Sequence, residues 1–220
     1  LVARGAGLEL RDGHGYTPLL AALHSHEYRI AKALLRAGAA PNAKIEGGVS
    51  PLYLALTEPR PDVVELLLAR GADANERGSS INVSSPLAAA VFYGKEQAAE
   101  LVGMLLDHGA RVDERNEDGT TPLWMAVERG MFPVIELLIE RGANLGIEHR
   151  GRCLLDAADQ ADVRATTAAF LLDRYGARFP QPARLRHELL LAARAGDVAK
   201  VKGLLEKGTA LTQPSGIESR

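Results

Sequence analysis

Between residues 117 and 149 the apolar side chains fall into two short runs at helical spacing. Leu123, Ala126 and Val127 share one face of a first helix, and Val134, Leu137 and Leu138 share one face of a second. Spacings of three and four residues mark amphipathic helices rather than strands. Asp118-Gly119 is a turn signal ahead of the first helix. Thr121 is placed to cap that helix with its hydroxyl, and Pro122 to take the first helical position, where its missing N–H is no loss. Gly130 ends the first helix, and Gly142 is placed to close the second in a left-handed conformation.

The pattern recurs. Thr17-Pro18-Leu19, Ser50-Pro51-Leu52, Ser85-Pro86-Leu87 and Thr121-Pro122-Leu123 are separated by 33, 35 and 36 residues. A second phrase keeps the same beat: Leu34-Leu35…Gly38, Leu67-Leu68…Gly71, Leu105-Leu106…Gly109 and Leu138-Ile139…Gly142. Such self-similarity predicts stacked units, each touching its neighbours and together exposing one long surface. The unit resembles the ankyrin repeat, a turn, two antiparallel helices and a projecting loop in about 33 residues. The resemblance implies an all-α fold, an ankyrin-repeat solenoid of stacked helix-turn-helix units with projecting hairpin loops. It divides the chain into one domain over 1–220: a partial repeat 1–13, then repeats 14–46, 47–78, 79–115, 116–149, 150–182 and 183–216.

Departures from the pattern are specific. The slot after Thr-Pro-Leu, usually His in the family, holds Leu20, Tyr53, Ala88, Trp124, Asp156 and Leu190. The fifth and sixth copies lack the helix-opening proline, and Pro180 and Pro182 are expected to stiffen the loop before the sixth. The third copy is the longest, with 23 residues from Pro86 to Gly109 where the first, second and fourth have 20. Lys200, Lys202, Glu206 and Lys207 around Val198, Val201, Leu204 and Leu205 fit a C-terminal cap, followed by a linker-like 212–216. The chain opens inside a repeat without an initiator Met and reads as a piece of a longer protein.

Composition narrows the function. An apolar content of 46% with 25% charged residues suits a folded chain, and no apolar run is long enough to span a membrane. The net charge of −2 hides an uneven spread: residues 47–149 carry 16 Asp and Glu against 8 Lys and Arg, whereas 183–220 carry 4 against 7. No concentrated basic face for nucleic acid is visible. Cys153 is the sole cysteine, expected as a small buried residue at a helix start, and it fits a reducing, intracellular, cytoplasmic setting.

Catalytic spacing is missing. His14, His24, His26, His108, His149 and His187 fall in no metal-ligand or triad pattern with Cys153, so no enzyme, cofactor or metal is expected. The resemblance implies instead a protein-interaction module, monomeric as a fragment, that binds another protein through its concave face and loop tips. A second reading is a regulatory ankyrin domain of a larger channel, kinase or immune-receptor-like protein, sensing a small ligand or a neighbouring domain. Carried over copy by copy, the loop positions are Tyr16, Val49, Ser84, Thr120, Arg152 and Arg186. The ends of the first helices bring His24-Ser25, Thr57-Glu58, Phe92-Tyr93, Glu128-Arg129, Gln160-Ala161 and Arg194-Ala195. Adjacent aromatics at such a place are favoured anchors of binding. The expected patch is Tyr53, Phe92, Tyr93, Trp124 and Met125, bordered by Glu58, Glu128 and Arg129. Trp124 and Tyr53 have an alternative role, filling the space the missing His leaves. Asn42, Asn75 and Asn144 follow the closing glycines. In animal ankyrin proteins such asparagines are hydroxylated by an oxygenase; a side-chain turn is the simpler expectation.

Overall fold

A computed structural model of the protein describes residues 7–45, 48–78, 83–158 and 164–212. Pro18, Pro51, Pro86 and Pro122 are the first residues of α1 (Pro18–His24), α3 (Pro51–Thr57), α5 (Pro86–Tyr93) and α7 (Pro122–Glu128). Each cap is made: the hydroxyls of Thr17, Ser50, Ser85 and Thr121 accept from the N–H of Leu20, Tyr53, Ala88 and Trp124 at 3.4, 3.1, 3.1 and 3.2 Å. The second helices are α2 (Tyr28–Arg36), α4 (Pro61–Ala69), α6 (Ala98–Asp107) and α8 (Phe132–Glu140). Gly38, Gly71, Gly109 and Gly142 close them at φ of 96°, 86°, 82° and 93°. The alanine after each glycine donates back to Leu34, Leu67, Leu105 or Leu138 at 2.9–3.0 Å, completing a closure that a side chain at the glycine would strain. Leu-rich faces supply the core: Leu19, Leu52, Leu67, Leu87, Leu101, Leu123 and Leu138 are all at most 1% exposed.

The contacts divide the molecule at 126/127, 130/131 and 143/144 into two compact units. In the first, α1, α3 and α5 pack in sequence, and α2, α4, α6 and α8 pack in sequence beside them. Side chains clasp neighbouring repeats. Asn42 donates to the Gly71 carbonyl at 2.8 Å and accepts from the Asp73 N–H at 2.9 Å. Asn75 does the same with Gly109 and Arg111, both at 2.8 Å. Glu9, 33 residues before Asn42, accepts from the Ala40 N–H at 2.8 Å. Asn144 is out of this register and makes a local turn, accepting from the Gly146 N–H at 2.8 Å. The side-chain-turn expectation therefore holds for Asn144, while Asn42 and Asn75 use both amide atoms across the repeat boundary.

Glu76 is a carboxylate buried between repeats, 7% exposed. The hydroxyl of Ser50 donates to it, and Lys44 Nζ lies 3.4 Å away. Burial pushes its acid above the ordinary carboxylate range, and the Ser50 bond and Lys44 only partly oppose this.

In the second unit a two-residue ladder joins β1 (Glu148–His149) to β2 (Arg152–Cys153), turning through Arg150 and Gly151 at φ of 50° and 70°. The helices are α9 (Leu154–Ala158), α10 (Arg164–Tyr175), α11 (Gln181–Arg194) and α12 (Val198–Thr212). α9 packs on α10 and α11, and α11 on α12. Without a Thr or Ser cap, α9 is opened from inside: Asp156 accepts the Cys153 N–H at 2.9 Å, the reverse arm of a capping box. Two expectations are corrected here. Pro180 and Pro182 do not stiffen a loop; they stand at the cap and in the first turn of α11, which starts six residues ahead of His187. The C-terminal cap is incomplete, because Leu204 is buried but Val198 and Leu205 are 65% and 51% exposed.

Candidate partner-binding surface

The third repeat breaks the rhythm of its neighbours. α5 has eight residues and α6 ten, where α3 and α4 have seven and nine. The connector Gly94–Gln97 is also one residue longer than 58–60. The insertion is thus spread over both helices and the turn. Gly94 is required at that turn, since a Cβ would collide with the Ala90 carbonyl and with Ala98.

The lengthened α5 carries Phe92 and Tyr93 at its end. Their rings meet edge-to-face, with centroids 4.8 Å apart at 72°. Tyr93 meets Tyr53 of the preceding repeat at 6.5 Å and 83°, and the Tyr53 ring lies against Gly78. Phe92 is 43% exposed, and Tyr53 and Tyr93 are half-buried. Three of the expected patch residues therefore form a continuous aromatic corner within the first unit. Glu58, exposed, is the C-cap of α3 in the position that Tyr93 occupies in α5.

Trp124 and Met125 do not join that corner at the surface. They are 1% and 4% exposed, and the Met125 sulfur faces the Asn116 amide at 3.2 Å. Large apolar side chains at these helix-start slots are drawn into the core vacated by the family's histidine, the alternative already open for Trp124. Glu128 and Arg129, at the end of α7, are exposed and belong to the second unit. Of the loop positions, Ser84 and Thr120 are buried: Asn116 accepts from the Ser84 N–H and hydroxyl at 3.0 and 3.1 Å and donates to the Thr120 hydroxyl at 3.1 Å. Tyr16, Val49 and Arg152 are half-buried, and Arg186 is exposed. His24, Ser25, Arg194 and Ala195 are exposed, whereas Gln160 and Ala161 lie outside the described residues.

Sequence reasoning missed one polar cluster at the joint between the first two repeats. The Arg60 guanidinium lies 4.2 Å over the Tyr28 ring, and Asp62 receives Lys32 at 2.7 Å and Arg60 at 3.3 Å. Burial, with Glu58 next, pushes the Tyr28 hydroxyl up. Cys153 is 2% exposed, and burial pushes its thiol up, away from the thiolate that nucleophilic chemistry uses. Among the described residues no His, Cys, Asp and Glu side chains gather as three or more around a possible metal position. No described helix is long and apolar enough to cross a membrane.

A model of three ankyrin-repeat copies matches residues 1–78 and again 74–149, more than half of the chain. The chain belongs to the ankyrin-repeat family. Ankyrin repeats are in general non-enzymatic protein-interaction modules, and this chain is an all-α member built of stacked helical hairpins. It is similar to the mouse B-cell lymphoma 3 protein homolog, 28% identical over 153 residues, 68% of this chain and 33% of that protein. It is also similar to the Caenorhabditis elegans ankyrin repeat and KH domain-containing protein mask-1, 34% identical over 133 residues, 59% of this chain and 5% of that protein. Human neurogenic locus notch homolog protein 4 is 32% identical over 151 residues, 62% of this chain and 7% of that protein. The chain thus spans a third or less of these ankyrin-repeat relatives.

Proposed function

We propose that the protein binds a partner protein through the loop tips and the concave face of its repeats, with the aromatic corner of Tyr53, Phe92 and Tyr93 as the anchor. The observation that carries this reading is Phe92, a large aromatic left 43% in water at the end of a helix that its own repeat lengthens. Clustered aromatics of this kind dominate binding energy at interfaces. Glu58 borders the corner in this reading, while Glu128 and Arg129 supply polar contacts of their own. An intracellular setting is part of the same proposal, supported by the single, buried thiol, and so is a monomeric state of this fragment. A second reading, a regulatory segment of a longer protein, is favoured by the small share of the relatives that the chain spans.

The test is affinity for a captured partner with the parent chain and with Phe92→Ala/Tyr93→Ala. A loss of roughly 2 kcal/mol or more, with unchanged circular dichroism, is expected. Unchanged affinity in the folded variant removes both rings from the site.

A further inference from the structure

The chemistry around the aromatic corner selects one kind of side chain. The rings of Phe92, Tyr93 and Tyr53 stand at 72° and 83° to one another in turn, so they form an angled wall that presents electron-rich faces as well as edges. Residues 47–149 carry twice as many carboxylates as cations. Several of those cations are already engaged: Arg60 with Asp62 at 3.3 Å, Arg77 and Arg111 with Glu114 at 3.5 Å, Arg141 with Asp107 at 2.7 Å, and Arg70 with the Leu35 carbonyl. Glu58, at the end of the helix that carries Tyr53, and Glu96, three residues after Tyr93, are both exposed, against one exposed cation beside them, Lys95. The molecule already uses the matching interaction elsewhere, in the Arg60 guanidinium 4.2 Å over Tyr28.

We propose that the corner of Tyr53, Phe92 and Tyr93 receives an arginine side chain from an extended basic segment of the partner protein. The inference rests on the interaction reading above and adds the chemistry of the anchor. A guanidinium stacks on an aromatic face while its outer edge stays in water. An aliphatic anchor needs a closed pocket to lose its own water, and a corner whose outermost ring is 43% exposed does not enclose one. Acidic surroundings add attraction at a distance, raising the on-rate and making it salt-dependent.

Two capped heptapeptides test it, one alternating Gly and Arg and its counterpart alternating Gly and Leu. Each is titrated into the full chain while the ring signals of labelled Phe and Tyr are followed by NMR. The Arg peptide is expected to shift the Phe92 and Tyr93 signals, and more weakly at high salt. Phe92→Leu, which keeps apolar bulk but removes the π face, is expected to weaken it about 2–5-fold, the size of an exposed cation–π contact. Circular dichroism checks that this variant remains folded. Equal Arg-peptide affinity in Phe92→Leu overturns the inference, as does failure of the Arg peptide to reach these rings. Ring shifts with the Leu peptide alone refute the arginine assignment and leave the interaction surface standing. If neither peptide moves the rings and the captured partner ignores Phe92→Ala/Tyr93→Ala, both readings fall.

Discussion

The first four hairpins and the last two obey the same stacking logic with very different regularity. From α1 to α8 the helices hold near seven and nine residues, with the third pair one longer each. In the second unit α11, whose two ends both lie among the described residues, has 14 residues. The family match covers the regular part and stops at residue 149. The difference lies in local stop and start signals. Where a hydroxyl cap, an N1 proline and a left-handed glycine all agree, boundaries are pinned to the residue. Where the hydroxyl cap and proline are missing, as before α9, Asp156 caps from inside the helix, and α11 runs for 14 residues before Gly196 closes it at φ of 70°.

The largest test of this contrast is in the core. Leu101→Ala, at a fully buried site in α6, is expected to cost about 2–5 kcal/mol in urea unfolding. Leu191→Ala, 43% exposed on α11, should cost under about 1 kcal/mol. Equal losses would mean that both regions are packed alike. Next comes the substitute cap of α9. Asp156→Ala strips the acceptor from the Cys153 N–H and is expected to cost about 2 kcal/mol, with Asp156→Asn costing less; equal losses would show that the N–H bond is not what Asp156 contributes. Ser85→Ala removes one of several agreeing signals at α5 and should cost about 1 kcal/mol. A loss above that of Asp156→Ala would reverse the proposed ranking of the two regions.

The smallest expected effect concerns Glu76. Burial raises its pKa in the fold above that in the unfolded chain, so the fold binds more protons and stability falls as pH rises from the ordinary carboxylate range through the raised value. Gln can still accept from Ser50 without a buried charge. Glu76→Gln should therefore gain on the parent as pH is raised from about 4 towards neutrality. A flat difference in Tm over that window would show that Lys44 fully compensates the charge.

Much of the fold was legible in the chain because its signals are local. Thr17, Ser50, Ser85 and Thr121, their prolines and the four closing glycines do what their chemistry prescribes. The placement of Phe92 beside Tyr93 was also legible, since adjacency and helix end are both sequence facts. The burial of Trp124 was one of two readings open in the sequence and that of Met125 was not foreseen, because burial depends on how much room neighbouring helices leave. Nor were the cross-repeat bonds of Asn42 and Asn75, although the 33-residue step from Glu9 to Asn42 and again to Asn75 was a usable signal. The early start of α11 was hidden because Pro182 reads equally well as loop or first turn.

The asparagine clasps limit how such an array can be lengthened or cut. Each one reaches from the fourth residue after a closing glycine to the glycine and the second residue after it in the next repeat. A splice placed between glycine and asparagine would misalign donor and acceptor together, whereas exchanging a whole module from one asparagine to the next leaves every fastening in register. Recombination or protein engineering should therefore succeed at those joints and fail a few residues to either side.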